Sequence, residues 1–196
     1  TATDMHNTAV GFSAGNVVST GILNTLIGSQ AGDAITTGGY NTAVGMNALT
    51  SEVAGSFSVA VGNSTLANQS NSTATSVYNT AVGYDAGNAV TTGVDNTLIG
   101  GLAGDAITDA DFNVAVGTRA LTTNQLGSYS TAIGNDTLAT QNPTTATNMF
   151  NVAVGSGAGN QVTTGIQNTF IGGAAGDAIT TGSYNTALGY AALSAD

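Results

Sequence analysis

The five residues NTAVG at 41–45 decide the fold, because they return at 79–83 and in near copies along the whole chain. The copies begin at Asn7, Asn24, Asn41, Ser58, Asn79, Asn96, Asn113, Ser130, Asn151, Asn168 and Asn185. Successive starts are 17 residues apart, except that every fourth interval is 21 residues, which gives a super-repeat of 72. A fixed short period predicts a solenoid in which each repeat forms one rung. We number the rungs 1–11 and count positions within a rung from its first residue.

Several positions within the rung are nearly constant. Position five is glycine in every rung: Gly11, Gly28, Gly45, Gly62, Gly83, Gly100, Gly117, Gly134, Gly155, Gly172 and Gly189. Glycine there fits a turn or a close backbone approach, and asparagine at position one can hydrogen-bond along a stack of rungs. Position nine follows the order Gly, Gly, Leu, Leu through the super-repeat. The last residue of the rung is aromatic in seven of ten complete rungs, which predicts a stacked ladder.

Short β-prone runs separated by glycine and asparagine, with no helical periodicity, predict an all-β chain. Seventeen residues allow two short strands and two turns per rung, stacked as parallel sheets about 4.8 Å apart. We therefore predict a parallel β-solenoid, or β-roll, of about eleven rungs. Residues 1–6 are a lead-in, and 7–196 form a single repeat domain with super-repeats 7–78, 79–150 and a partial 151–196.

Both faces of the predicted strand are apolar, because positions two and four share one face and position three lies on the other. We expect position four, from Val10 to Leu188, to form a buried column inside the coil. Val116→Asp should then cost about 3–5 kcal/mol. Position three is mostly alanine but includes Leu26, Leu98 and Phe170. A strand that is apolar on both sides is buried on both sides, so we expect these three residues to contact further copies of the chain.

Composition excludes several functional classes. The net charge is −10, with eleven acidic residues against one arginine and no lysine, so neither nucleic acid nor an anionic membrane surface is an expected partner. No apolar stretch approaches the roughly 20 residues of a membrane span, and no basic segment predicts a signal peptide. Cysteine is absent, so no disulfide is expected.

The repeated phrase, followed by Ala-Gly or Ala-Leu, resembles the head repeats of trimeric autotransporter adhesins of the YadA type. Runs such as NTAVGMNAL at 41–49 and NTALGYAAL at 185–193 are even more similar to repeat regions of bacteriophage tail fibres. The resemblance covers 7–196 and implies a left-handed β-roll, a homotrimer, and attachment to a host-surface glycan or protein receptor. It implies a location in the virion, as a tail fibre, or at a cell surface. The 17-residue rung and the super-repeat favour the fibre and suggest a piece of a longer protein.

Three alternatives rest on particular residues. Asp109 and Asp111, two apart, could serve as the carboxylate pair of a glycan-cleaving spike. A Thr-Thr-Gly column, present for example at 36–38, could form an ice-binding plane. Asp33, Asp105 and Asp177 recur every fourth rung, too far apart to share an ion within one chain, although copies could meet at a trimer axis. We predict no catalytic residue, cofactor or metal ligand, and His6 is expected to cap the first rung.

The two long rungs carry the predicted receptor site. Their extra residues fall in ANQSNSTATSVY at 67–78 and ATQNPTTATNMF at 139–150. Insertions in solenoids form loops, often on a binding face. The predicted contacts are Asn68, Gln69, Asn71, Thr140, Gln141 and Asn142, whose amides and hydroxyls can bond to sugar hydroxyls. The alternative is that these loops only adjust the stacking of the coils.

Overall fold

The computed structural model describes residues 4–194 and confirms the β-solenoid. Residues 1–3 of the predicted lead-in and 195–196 at the end of the predicted domain lie outside this range. One parallel sheet contains a three-residue strand from each rung: β1 (Thr8–Val10), β2 (Thr25–Ile27), β3 (Thr42–Val44), β5 (Val59–Val61), β7 (Thr80–Val82), β8 (Thr97–Ile99), β9 (Val114–Val116), β11 (Thr131–Ile133), β13 (Val152–Val154), β14 (Thr169–Ile171) and β15 (Thr186–Leu188).

Register in this sheet follows the repeat without a slip. Thr25 of β2 pairs with Thr42 of β3, and the same position pairs across every later junction, including those after the long rungs. The four extra residues of a long rung are therefore absorbed outside the main sheet. The structure contains no helix within the described residues.

The opposite side of the coil is less regular than expected. In the described chain, strands form there only between each long rung and the rung before it: β4 (Gly55–Ser56) pairs with β6 (Thr75–Ser76), and β10 (Gly127–Ser128) pairs with β12 (Thr147–Asn148). In other rungs backbone bonds converge on one carbonyl, as the N–H groups of residues 36, 37 and 38 all donate to Val53 O at 2.9–3.4 Å. We predicted a second strand in every rung, but the described chain forms such strands at only two places.

The interior contains position three rather than position four, which corrects the predicted orientation of the strand. Position three is buried from rung 2 to rung 11, and Leu26, Leu98 and Phe170 are fully inside the coil. They therefore cannot form the contact with other copies that we predicted. Position four is exposed or half-buried in all eleven rungs. The expected cost of Val116→Asp as a core substitution loses its basis, because Val116 is half-buried on the outer face of the sheet.

The Gly-Gly-Leu-Leu order at position nine is a volume compensation across this narrow interior. A Cβ added to Gly15 would lie 2.8 Å from Leu26 Cδ1, and one added to Gly32 would lie 2.7 Å from Leu26 Cδ2. One large residue at position three thus fills the space that two adjacent rungs leave open at position nine. Leu98 and Phe170 do the same at the equivalent glycines one and two super-repeats later. Where position nine is leucine, position three is alanine.

Asparagines at position one form a buried ladder along the coil. The backbone N–H of Asn41 donates to Asn24 Oδ1 at 3.0 Å, and that of Ser58 donates to Asn41 Oδ1 at 2.9 Å. Each of these asparagines up to Asn168 also donates from Nδ2 to the carbonyl at position 15 of its own rung, as Asn41 does to Gly55 O at 2.9 Å. Hydrogen bonds at position one therefore join neighbouring rungs immediately ahead of each β-strand.

Glycine at position five allows adjacent rungs to approach at the turn. Gly45 has a φ of 137°, and a Cβ there would collide with the carbonyl of Gly62 in the next rung. The structural role predicted for these glycines agrees with this geometry. Position seven and the last residue of each rung also have positive φ, although most residues there are not glycine.

Candidate functional site

The outer face of the eleven-stranded sheet is an extended surface without charge. Positions two and four face outward, and in every rung they are threonine, valine or isoleucine, apart from Leu188. Position four is uncovered even in the middle of the sheet, since Ile99 is 38% exposed. The exposed large side chains at position six lie next to this face: Phe12, Met46, Tyr84 and Tyr190. No charged residue occupies positions two or four, so this face resembles an interface more than a hydrated surface.

The aromatic residues that end the rungs form the predicted ladder, but it is broken. Tyr40, Phe57 and Tyr78 stack with centroid distances of 5.0 and 5.2 Å. Phe112, Tyr129 and Phe150 form a second stack with distances of 4.8 and 5.2 Å. Asp95 separates the two stacks, and Gln167 separates the second stack from Tyr184. His6 occupies the equivalent position before rung 1, with the positive φ of the column.

The six predicted receptor contacts divide into a buried and an accessible group. Gln69, Asn71 and Gln141 lie inside the coil. Gln69 Nε2 donates to Ser58 Oγ at 2.9 Å, and Gln69 Oε1 accepts from Asn79 Nδ2 at 2.9 Å. Gln69 thus connects the asparagine ladder across a rung that begins with serine. Gln141 makes the same connection between Ser130 and Asn151.

Asn68 and Asn142 are exposed and Thr140 is half-buried, so only these members of the predicted set are open to a receptor. The most exposed parts of the long rungs lie further along, at 72–74 and 144–146. Each tip is closed by the same local bond, from Thr75 Oγ1 to Thr73 O and from Thr147 Oγ1 to Thr145 O. The two loops therefore present the same shape one super-repeat apart.

Asp109 and Asp111 both bond to the preceding rung. Asp109 Oδ1 accepts from Thr92 Oγ1, and Asp111 Oδ1 accepts from Val94 N at 2.7 Å. Burial raises the pKa of Asp111, and the nearby charges of Asp109 and Asp95 add to that rise. The described residues form no pocket beside this pair or elsewhere. The geometry gives both carboxylates hydrogen-bond partners within the coil.

The recurring Asp-Thr pairs and the threonine column are likewise used within the coil. Asp33 Oδ1 accepts from Thr50 Oγ1 at 2.7 Å, and Asp105 Oδ1 accepts from Thr122 Oγ1 at 2.5 Å. Burial raises the pKa of Asp105. In the Thr-Thr-Gly column, the first hydroxyl donates to the next rung, as Thr36 Oγ1 does to Val53 O at 3.2 Å. Residues 4–194 contain no cluster of three or more His, Cys, Asp or Glu side chains suited to a metal ion.

A buried carboxylate is the feature that the sequence analysis missed. Glu52 is fully enclosed, and its Oε1 accepts from the backbone N–H groups of residues 53, 54, 55 and 71 at 2.7–3.1 Å. Its Oε2 accepts from Gln69 Nε2 at 2.8 Å and from Asn71 Nδ2 at 3.0 Å. The signal was present, because position twelve is valine or isoleucine in rungs with Gly at position nine but polar at Glu52, Gln69, Asn124 and Gln141.

Comparison of the chain with protein-family models, with curated proteins and with solved structures finds no match in any of the three. Function must therefore be argued from the surfaces described above. Within residues 4–194, no helix has the length and apolar character that crossing a membrane requires.

Proposed function

We propose that this chain is a trimeric fibre segment, of a phage tail fibre or a surface adhesin, that contributes to attachment to a host-surface receptor. The observation that carries the proposal is the outer face of the eleven-stranded sheet, where the aliphatic residues of position four lie beside the threonine and valine of position two, uncharged and uncovered in the single chain. Contiguous apolar surfaces of this kind mark association sites. The resemblance of the repeated phrase to fibre and adhesin repeats supports three copies around one axis.

The reversed orientation of the strand changes which residues form the proposed contact. Positions two and four replace Leu26, Leu98 and Phe170 as the surface shared between copies. Because β-branched side chains have few rotamers, their burial between chains costs little conformational entropy. In this proposal Asp109 and Asp111 hold rungs together and catalyse no reaction.

Mass measurement by light scattering tests the assembly. We expect a particle of three times the 19.0 kDa of one chain. Val116→Asp should dissociate it, because the substitution buries an unpaired charge between copies. Thr144→Asp, on an exposed loop tip, is the matched control and should leave the mass unchanged, with both variants retaining the wild-type circular dichroism spectrum. A monomeric wild type would refute the proposal, and a dimer would keep the interface but remove the fibre assignment.

Attachment is tested separately, on an array of purified bacterial surface polysaccharides and on whole cells. The assembled wild type should adsorb to at least one of them. Removing four residues from each long rung restores the 17-residue length. Adsorption of this variant shows whether the loop tips contribute to attachment. Unchanged adsorption of a folded, trimmed trimer would assign attachment to another part of the surface.

The same outer face favours ice binding as a second candidate function. Eight of its eleven residues at position two are threonine. They form a row beside the row of aliphatic residues at position four. A flat rank of hydroxyl and methyl groups repeating every 4.8 Å or so can order water regularly. This function requires the face to be free, so a monomer that lowers the freezing point more than the melting point would support it. A trimer without such activity would exclude it.

A further inference from the structure

The two breaks in the aromatic ladder form a repeated structural element. The backbone φ values of Tyr78, Asp95 and Phe112 are 55°, 55° and 58°, so their Cα–Cβ bonds leave the coil in the same direction. Asp95 therefore takes the place of a ring in the column. The same arrangement recurs 72 residues later, where Gln167 stands between Phe150 and Tyr184. We call these places the Asp95 gap and the Gln167 gap.

The ring faces that border the gaps are uncovered. Phe57, in the middle of the first stack, is 38% exposed, whereas Tyr78 at the edge of the gap is 52% exposed. In the second stack Tyr129 is 41% exposed, and Phe150 at the edge of the Gln167 gap is 47% exposed. Phe112, on the far side of the Asp95 gap, is 44% exposed. The larger exposure at the edges is what a free ring face on each side of a gap would produce.

The height of each gap admits one ring. Two rung steps separate the bordering rings, so their planes are about 9.6 Å apart. Phe57 fills the same height between Tyr40 and Tyr78, with centroid distances of 5.0 and 5.2 Å. A pyranose chair also fits this height, and its axial C–H bonds project from both faces. These C–H groups are directed at aromatic faces, whose quadrupole is negative.

The polar residue within each gap can bond to the ring's hydroxyl groups. Asp95 and Gln167 are exposed, and neither side chain forms a hydrogen bond to another described residue. Each is shorter than the bordering aromatic side chains, so each gap is a shallow recess of the surface rather than an enclosed pocket. Carboxylate oxygens accept from hydroxyl donors, and an amide both donates and accepts. Free planar polar groups between two aromatic faces are suited to a saccharide.

The two gaps differ in charge, which predicts a difference in selectivity. Asp109 and Asp111 lie in the rung above Asp95, and their counterparts above Gln167 are the neutral Thr181 and Ser183. The charge of Asp95 acts on Asp111, which places the two carboxylates close together. A sugar acid would be repelled from the Asp95 gap but not from the Gln167 gap.

We propose that the Asp95 gap and the Gln167 gap each bind one neutral pyranose ring, held between two aromatic faces and bonded to the polar side chain. This inference rests on the proposed attachment function and names its ligand as a neutral surface polysaccharide. The long rungs then have a supporting role, because Tyr78 and Phe150 follow directly after their loops and form one wall of each gap.

Closing the gaps is the first test. The assembled protein is titrated with chitotetraose and with maltotetraose at millimolar concentration, and binding is followed by calorimetry and saturation-transfer NMR. Asp95→Tyr with Gln167→Tyr completes the ladder with a residue type that the column already contains. We expect the wild type to bind one of the two sugars with two sites per chain. The closed variant should retain its melting temperature and trimer mass, and its Kd should rise at least tenfold.

Opening a new gap is the converse test. Phe57→Asp, in the middle of the first stack, should create a third site between Tyr40 and Tyr78 and raise the stoichiometry from two to three. If the closed variant does not fold, Phe112→Leu is tested in its place. Leucine is suitable because Leu23 already occupies the aromatic column in rung 1. Affinity at the Asp95 gap should then fall. Absence of binding to both sugars, or equal binding by the wild type and the closed variant, would overturn the inference. A trimer that adsorbs to polysaccharide equally with open or closed gaps would refute the gaps alone, whereas a monomer that does not adsorb would refute the proposed function.

Discussion

The polar interior is built in two different ways at equivalent places in the first and second super-repeats. The Glu52 network consists of Glu52, Gln69 and Asn71, and the Asn124 network consists of Asn124, Gln141 and Pro143. Corresponding members are 72 residues apart and buried in both. The first encloses a carboxylate, whereas the second contains an amide and a proline that has no N–H to donate.

The substitutions between the networks are coupled. Asn71 provides two of the donors to Glu52, through its N–H and its Nδ2. Asn124 does not need equivalent donors. Its Oδ1 accepts from the N–H of Gly127 at 3.1 Å, and its Nδ2 donates to the Gly127 carbonyl at 2.7 Å. Asn124 is also shorter than glutamate, and Met149 fills space where the first network has Val77. A Cβ on Gly127 would lie 2.9 Å from Met149 Cγ, beside Asn124. A buried carboxylate is therefore tolerated only together with its set of donors.

Asn71→Pro should cause the largest loss of stability, because it removes both Asn71 donors and leaves Glu52 partly unsatisfied. The backbone accommodates proline at this place, since Pro143 occupies the equivalent position. We expect a loss of about 3–5 kcal/mol, measured by denaturant unfolding at one fixed protein concentration. A loss below about 1 kcal/mol would show that the remaining four donors suffice and that the coupling is incidental.

Asn124→Glu introduces the carboxylate without its donors, and it should cost about 2–4 kcal/mol. The expected cost is large because Pro143 cannot donate and Met149 occupies the space that the longer side chain needs. Asn124→Gln is the matched control, with the same length and no charge. If the two variants are equally destabilised, crowding rather than charge explains the effect.

Combining Glu52→Asn, Asn71→Pro and Val77→Met transfers the second network into the first super-repeat. The free energy of unfolding of the triple variant should be within about 2 kcal/mol of the wild type, because the carboxylate is absent and its space is filled. This should hold although the variant contains Asn71→Pro, the most damaging single substitution. The double variant without Val77→Met should be about 1 kcal/mol less stable, owing to the void. A triple variant as unstable as Asn71→Pro alone would contradict the coupling.

The sequence was sufficient to predict the number of rungs, the parallel register, the asparagine ladder and the stacked aromatic column. Each depends on a residue type recurring at a fixed spacing, and backbone pairing leaves one way to align such residues. The orientation of the strand was predicted wrongly because both faces are apolar and position four carries the larger residues. The interior of a 17-residue coil is too narrow for them. Leu26, Leu98 and Phe170 occur only where position nine is glycine, and this covariation indicated which face is internal.

The candidate sites were less predictable from the sequence. Gln69, Asn71 and Gln141 were selected as receptor contacts for their polarity, but in the structure they satisfy buried partners. Composition cannot distinguish an amide that faces a sugar from one that faces a serine at the start of its own rung. The gaps in the aromatic column were visible as departures at Asp95 and Gln167. Their significance depends on the ring stacking, which only the structure provides.

Pro143→Ala should have the smallest effect, with a loss of about 1 kcal/mol that arises mainly from greater freedom of the unfolded chain. The N–H that alanine restores at this position lies where the N–H of Asn71 reaches Glu52. Asn124 Oδ1, which accepts only from Gly127, has a lone pair left to receive it. Asn71→Ala in the first super-repeat is the matched variant, and it removes only the Nδ2 donor to the carboxylate. It should cost about 1–3 kcal/mol, more than Pro143→Ala, because a hydrogen bond to a charged group is lost. Thermal unfolding of the two variants side by side measures the difference. Equal losses would mean that the buried carboxylate does not depend on Asn71 Nδ2, and the contrast between the two networks would then rest on the Asn71 N–H and on packing.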